Sequence, residues 1–359
     1  MDSKLKQVFL ELLRCGINDS QPDTRLFTGL TLQDWTELYQ MVSKQTVIGV
    51  CFQTVRKLPP DFRPPQAILL PWMGQNLYIE AQSHKMLQVW QELQHRFAEA
   101  GIHPLLMKGL AVATCYARPA SRQAGDIDFF VPERYQEALR LVHQWNCETH
   151  HLPQHDSFDY QGIHIEMHPE LISVPFKPRT GCRPAAVYWN DTELPTPDVH
   201  STCLLLLSHA AKHFIKRGIG YRHLCDWAVF LQRFHSEIDT DLVLREARHM
   251  GMYRFVVEFT EAAHRELHLS FSGMEKWLKD SQGKYVQLLI ERLEESGDIA
   301  TANVAISSMN FLQKMYFLKK VIERKSFWPQ LFWRACSRII YAEIKKHMIR
   351  CTRTVGRKD

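Results

Sequence analysis

The chain has 359 residues, of which 45% are hydrophobic, 23% are charged and 11% are aromatic. This composition excludes a disordered or collagen-like chain, because such chains have far fewer apolar residues or a strict glycine repeat. At roughly 150 residues per domain, the length predicts about two or three structural units. The formal net charge of +5 is weak for a chain of this size and does not by itself indicate nucleic acid as a partner.

The sequence gives no sign of a membrane span or a secretory signal. No stretch approaches the ~20 apolar residues that a transmembrane helix requires, and the first residues have the pattern of an amphipathic helix. The nine cysteines are scattered and include no pair spaced as CxxC, which is typical of reduced thiols. We therefore expect a cytoplasmic protein without a membrane span.

Residues 1–100 are predicted to form a helical N-terminal region. Apolar residues recur at helical spacing within residues 5–13, and Thr31 begins a segment with the pattern of a helix start. Residues 58–71 contain five prolines and are predicted to be a connector, because proline disrupts a helix interior. A long helix is predicted from about residue 72 to residue 100.

Residues 101–175 change to shorter apolar runs and are predicted to form a small α/β core. The predicted strands cover residues 102–107, 126–131, 147–152, 158–161 and 163–167. The predicted helices cover residues 110–117 and 133–145. Gly162 lies between the last two strands, which are therefore predicted to form a hairpin.

Residues 176–359 are predicted to form a helical C-terminal region with a basic tail. After a proline-rich stretch, helices are predicted at residues 202–215, 221–234, 241–250, 253–266, 283–295 and 300–348. Residues 345–358 contain six Lys or Arg and no acidic residue. A solvated terminus is the favoured interpretation of this tail, and a phosphate-rich partner such as nucleic acid is the alternative.

Asp126 and Asp128 are the most informative pair of residues in the sequence. They lie two apart on a predicted strand, so their side chains share one face of it. Two adjacent carboxylates repel each other unless a cation lies between them. Magnesium binds through one or two carboxylates together with substrate phosphates. The pair therefore predicts a site for a divalent metal ion.

Glu166 is predicted to supply a third carboxylate. Alternation along its strand places His164, Glu166 and His168 on one face. If this strand lies beside that of the two aspartates, the three acids can hold two metal ions. A zinc site at these histidines is disfavoured, because the zinc-binding HExxH pattern has helical spacing and no cysteine lies nearby. A histidine packed beside the acid is the favoured interpretation of His168.

Lys108 and Gly109 lie in a predicted turn from strand to helix. The glycine lets backbone amides approach a phosphate, and the N-terminus of the following helix favours negative charge. Lys108, Arg118 and Arg122 are placed in sequence to neutralise a triphosphate. Two alternatives are open: Lys108 is an exposed lysine at the end of a strand, or Arg122 braces the loop by pairing with a carboxylate.

His209 and His213 lie four residues apart on a predicted helix. Residues at this spacing face the same side of a helix, so the two imidazoles could share a ligand. The sequence places no third ligand beside them. Two partly buried, hydrogen-bonded histidines are therefore the favoured interpretation.

This ordered set of motifs resembles the DNA polymerase beta-like nucleotidyltransferase superfamily, and more narrowly the bacterial branch called uncharacterised nucleotidyltransferases. The segments that carry the resemblance are KG at 108–109, GDIDFFV at 125–131, EMH at 166–168 and RHLCDW at 222–227. A lone acid-x-acid pair would be a weak signal, whereas the ordered set is more specific. The third acid is Glu166 where the superfamily more often has Asp.

The resemblance implies an α+β fold, with a minimal nucleotidyltransferase mixed β-sheet core flanked by helical N- and C-terminal regions. It implies metal-dependent transfer of a nucleoside monophosphate from an NTP, such as ATP, to a hydroxyl or phosphate acceptor, with release of pyrophosphate. The expected cofactor is Mg²⁺ or Mn²⁺, bound by the catalytic acids Asp126, Asp128 and Glu166. The residues expected to bind the nucleotide are Lys108, Gly109, Arg122 and His168.

The sequence leaves the chemical identity of the acceptor open. A small molecule fits the modest net charge, and an RNA such as tRNA fits the basic tail. A catalytically silent protein that keeps only nucleotide binding is a third possibility.

Overall fold

The computed structural model of the protein describes residues 3–173, 177–216, 218–296 and residue 327. Apart from Phe327, which is buried, the helix predicted at 300–348 lies outside the described residues. The basic tail at 345–359 lies outside them as well.

In the described part of the chain, helices precede and follow a region that contains strands. The helices are α1 (Ser3–Asn18), α2 (Leu32–Lys44), α3 (Ile48–Val55), α4 (Gln66–Glu99), α5 (Lys108–Ala113), α6 (Tyr135–Gln144), α7 (Val199–Lys216), α8 (Tyr221–Phe234), α9 (Thr240–His249), α10 (Tyr253–Leu267), α11 (Met274–Leu278) and α12 (Gly283–Ser296). The strands are β1 (Leu105–Leu106), β2 (Ile127–Phe130), β3 (Thr149–Leu152), β4 (His155–Tyr160), β5 (Ile163–His168), β6 (Pro184–Trp189) and β7 (Thr192–Pro197).

Five of these strands form one mixed sheet in the order β1-β2-β5-β4-β3. β2 and β5 are parallel neighbours, and the other pairs in this sheet are antiparallel. β4 and β5 are joined by a hairpin in which Gln161 and Gly162 both have positive φ, as a two-residue turn of type I′ requires. The predicted α+β fold with a mixed sheet and flanking helices is confirmed, as is the hairpin at Gly162.

The predicted start of α2 at Thr31 is confirmed. The Thr31 side chain accepts a hydrogen bond from the Asp34 backbone at 3.2 Å, and the Asp34 carboxylate accepts one from the Thr31 backbone at 2.7 Å. This reciprocal capping box satisfies two backbone donors that a helix N-terminus leaves unpaired.

The prediction of a connector at residues 58–71 was wrong in its second half. α4 begins at Gln66 and continues through Pro71, although a proline inside a helix removes one backbone hydrogen bond. Trp72, the next residue, is fully buried and donates its indole N–H to the Ile48 carbonyl at 3.0 Å. Tertiary packing therefore outweighs the local cost of the proline.

No element was predicted from the sequence for the proline-rich stretch. β6 and β7 form a separate two-stranded antiparallel sheet there, with Pro184 paired opposite Pro197. Each strand of such a sheet is an edge strand, where a proline does not interrupt a ladder on its outer side.

Two hydrophobic cores hold the described residues together. One lies between the C-terminal half of α4 and the five-stranded sheet, around Trp90, Phe97 and Phe129. The other is shared by the N-terminal helices and the helices that follow β7. In the described part of the chain, no helix combines the length and the apolar character needed to cross a membrane. The division into regions at residues 100 and 175 stays a prediction.

Candidate active site

The acidic residues meet at the strand pair β2 and β5. Because these strands are parallel and in register, Asp128 lies directly beside Glu166. Asp126 lies one residue before β2 begins and, by alternation, on the same face as Asp128. The condition set by the sequence, that the two acid-bearing strands be neighbours, is therefore met.

Asp128 is held by a lysine and a histidine side chain. Its Oδ1 atom accepts hydrogen bonds from Lys108 Nζ and from His168 Nε2, each at 2.9 Å. The Asp128 residue is only 4% exposed. Burial alone would raise the pKa of this carboxyl group, but the Lys108 charge and the His168 hydrogen bond hold it well below its usual value.

Asp126 shows the opposite behaviour. Burial and the negative charge of Asp128 raise the pKa of Asp126 to about 6. The charge of Lys108 offsets only part of this effect. The arrangement therefore contains more negative charge than its lysine and histidine neutralise.

Lys108 is positioned by the strand next to β2. The Met107 backbone N–H donates to the Asp128 carbonyl at 2.8 Å, which extends the β1–β2 pairing to the residue before Lys108. The Lys108 side chain is only 13% exposed, so the alternative of an exposed strand-end lysine does not hold. Although burial favours the neutral amine, the charges of Asp128 and Asp126 raise the pKa of Lys108 above its usual value.

Gly109 occupies a sharp turn between β1 and the rest of α5. Its φ of 41° and ψ of −113° are not helical, and a positive φ of this kind strains any residue with a side chain. A Cβ atom at this position would lie 3.6 Å from the Asp126 carbonyl, which is an ordinary contact. The requirement for glycine thus comes from the backbone conformation.

Glu166 lies between two histidines. His155 Nε2 lies 3.4 Å from Glu166 Oε1, and His168 Nε2 lies 3.5 Å from Glu166 Oε2. One potential ligand atom from each of these three residues falls within 4.8 Å of the others. Burial lowers the pKa of His155. For His168 burial acts in the same direction, but hydrogen bonds to Asp128 and Glu166 raise its pKa above the usual value.

His155 was missed by the sequence analysis. The strand that carries it was predicted to begin at residue 158, whereas β4 begins at His155. Its ring lies 5.0 Å from that of His168, measured between centroids. Extending the predicted strand backwards by three residues, from 158 to 155, would have placed His155 beside the strand of Glu166.

Arg122 pairs with the carboxylate of Asp226, which is distant in sequence. It donates to Asp226 through two hydrogen bonds of 2.8 and 2.7 Å, and the Tyr116 hydroxyl donates to the same carboxylate at 2.7 Å. The bracing alternative therefore describes this structure, and a role for Arg122 in nucleotide binding stays a prediction. Arg118 lies 3.8 Å from Asp19 and is 42% exposed.

Lys108 and His168, which both contact Asp128, line a small cleft. The polar side chains that line it are those of Lys108, Gln154, His168, Glu170, Ser173, Ser208, His209 and Lys212. His209 belongs to α7, so this helix forms one wall of the cleft.

A mixed sheet with an acid-x-acid pair on one strand and a third acid on its parallel neighbour is the arrangement that the sequence resemblance led us to expect of a nucleotidyltransferase. The family model described as uncharacterised nucleotidyltransferase matches residues 31–268, and the chain belongs to this family. The resemblance stated from the motifs is thereby confirmed. No curated protein and no solved structure matches the chain. Membership supports nucleotidyl transfer as the general activity.

Proposed function

We propose that this protein transfers a nucleoside monophosphate from an NTP to an acceptor hydroxyl or phosphate in a metal-dependent reaction. The observation that carries this proposal is the position of Asp128 beside Glu166 on parallel strands, with Asp126 two residues before Asp128 and Lys108 in contact with it. Membership of a nucleotidyltransferase family supports it independently.

The carboxylates suit a divalent metal ion such as Mg²⁺ or Mn²⁺. Hard cations prefer oxygen ligands, and Asp126, Asp128 and Glu166 supply them. The raised pKa of Asp126 comes from burial and from the negative charge of Asp128, and a bound cation would relieve the repulsion between the two carboxylates. When bound, the ion would activate the attacking oxygen and stabilise the departing pyrophosphate.

The protein's own residues divide the remaining tasks. Lys108 and His168 keep Asp128 ionised and place positive charge at the wall of the cleft, where the phosphates of the NTP would bind. The acceptor oxygen forms a bond to the α-phosphorus and gives up its proton to the Glu166 carboxylate. The bond from the α-phosphorus to the bridging oxygen breaks, and that oxygen leaves with pyrophosphate.

A small molecule is the favoured acceptor. The modest formal net charge of +5 supports this preference, because a polynucleotide acceptor favours a strongly basic protein. An RNA acceptor such as tRNA, bound through the basic tail, is the alternative. The remaining alternative is that the protein is a catalytically silent partner protein that only binds nucleotide.

Calorimetric titration of each NTP into the purified full-length protein, with Mg²⁺ present, tests the nucleotide site. We expect one or more NTPs to bind only when Mg²⁺ is present, and this binding to be lost in Asp126→Asn/Asp128→Asn. Asp159→Asn is the matched control, because the Asp159 side chain is 77% exposed and pairs with His164 away from the cleft. Equal binding by the double variant and the wild type would contradict the proposal.

A further inference from the structure

Three histidines form a second cluster, and one of them, His209, lines the cleft. His209 and His213 lie one turn apart on α7, and His223 lies near the start of α8. The ring centroids are 4.5 Å apart for His209 and His213, 4.9 Å for His213 and His223, and 5.6 Å for His209 and His223. One ring nitrogen from each lies within 4.8 Å of the other two.

The turn between α7 and α8 creates this convergence. His223 is the third residue of α8 and is only 6% exposed. The two helices pack against each other directly, so a residue ten positions beyond His213 comes back beside it. The sequence alone placed no third ligand beside His209 and His213, and the structure supplies one.

We propose that His209, His213 and His223 bind a transition-metal ion of the zinc class. Imidazole nitrogens suit zinc, copper, iron and nickel, whereas magnesium and calcium prefer oxygen. In a tetrahedral site with zinc–nitrogen bonds of 2.0–2.1 Å, the nitrogens would be roughly 3.3 Å apart. The three nitrogens lie within 4.8 Å of one another, so a change of at most about 1.5 Å in their separations would give this spacing.

Such a site would differ from the carboxylate site in both ligands and geometry. Three histidines leave the fourth position of a tetrahedral ion open to water or substrate, as in catalytic zinc sites. His209 lines the same cleft as Lys108 and His168. An ion held by the three histidines would therefore be bound at the edge of the cleft that Lys108 and His168 line.

A rival group is present and must be separated from this one. His155, Glu166 and His168 also bring three potential ligand atoms within 4.8 Å of one another. This group belongs to the candidate active site, since His168 bonds to Asp128. Any zinc-binding measurement on the whole protein must therefore assign the ion to one of the two groups.

The test is a zinc titration of metal-free, full-length protein in competition with a chromophoric chelator, without nucleotide. Because the readout is metal binding, it is independent of the proposed reaction. We expect His213→Gln and His223→Gln to weaken zinc binding more than roughly 100-fold, since even partners that only orient a ligand are worth 10–100-fold. His103→Gln, at an exposed position between α4 and β1, is the matched control and should bind as the wild type does.

Circular dichroism of each variant confirms that it is folded, and half-buried His213 provides a variant that perturbs the core less than His223. Cobalt substituted for zinc should give the strong visible absorption of a four- or five-coordinate site in the wild type and lose it in both variants. Failure of the folded wild type to bind zinc would overturn the proposal. So would zinc binding that persists in His213→Gln and His223→Gln, whether or not Glu166→Gln removes it.

Discussion

Asp126 and Asp128 share one face of a strand but differ in their electrostatic environment. Lys108 and His168 both contact Asp128, whereas the charge of Asp128 itself helps raise the pKa of Asp126 to about 6. Asp128 therefore has the lower pKa of the two, and ionisation of Asp126 costs more free energy. A cation that binds both carboxylates would lower this free-energy cost, which is why the pair suits metal binding.

The Arg122–Asp226 pair holds the site loop, which is the segment between α5 and β2, to helix α8. We predict that Asp226→Asn lowers the free energy of unfolding by about 3–5 kcal/mol, because it leaves the Arg122 guanidinium buried without its carboxylate. Urea denaturation measures the loss. Asp241→Asn, at a side chain that is 66% exposed, should cause only a small change, and an equal loss in both variants would contradict the account.

The same pair predicts a pH dependence of stability. Burial opposes ionisation of Asp226, but the charge and hydrogen bonds of Arg122 outweigh it and hold the pKa of Asp226 below its usual value of 3.8. The stabilisation is therefore complete above about pH 4 and is lost as the pH falls through the lower pKa of the folded state. In acid denaturation, the difference in unfolding free energy between wild type and Asp226→Asn should shrink below that pH. A constant difference down to pH 2 would contradict this assignment.

The sequence did not identify which carboxylate pairs with Arg122. The bracing alternative was available from the sequence, because a buried arginine needs an acid. The acid itself lies 104 residues away, on a helix whose packing the local pattern does not encode. Asp126, Asp128 and Glu166 were accessible for the opposite reason, since alternation along two short strands fixes the face of each side chain.

At the scale of elements, local turn chemistry was predictable and strand pairing among prolines was not. Gly162 marked the β4–β5 hairpin, because that turn needs residues with positive φ. β6 and β7 carry prolines that argue against strands, and only the pairing of the two segments with each other makes them strands. His155 was lost with the first residues of β4, where the apolar alternation is weak.

The turn at Gly109 gives a prediction for the element that joins β1 to α5. Gly109→Ala should destabilise the protein by about 1–3 kcal/mol, because alanine is strained at a φ of 41° and a ψ of −113°. Thermal unfolding measures this change, and NTP binding should weaken because the turn also positions Lys108. Gly74→Ala, at a position where a Cβ atom meets nothing within 4 Å, is the control. A Gly109→Ala protein as stable as the wild type would contradict the role assigned to this turn.

At the scale of the whole molecule, the helices before and after the sheet pack together. They share a single hydrophobic core, and α8 reaches the site loop through Asp226. α7 provides the cleft wall that carries His209. The amphipathic patterns predicted these helices, but the convergence of His223 with His209 and His213 depends on how α7 and α8 pack, which periodicity does not determine.

In the proposed reaction, the protein transfers the nucleoside monophosphate of an NTP, which contains the α-phosphate, to an acceptor. The most direct test incubates the protein and Mg²⁺ with NTPs labelled at either the α- or the γ-phosphate, in the presence of a protein-free metabolite extract or, separately, total RNA. The account predicts that the α-label enters a new product, the γ-label appears in pyrophosphate, and Asp126→Asn/Asp128→Asn yields neither. Transfer of the γ-label to an acceptor, unchanged α-transfer by the double variant, or no transfer by wild-type protein that binds the NTP would contradict it.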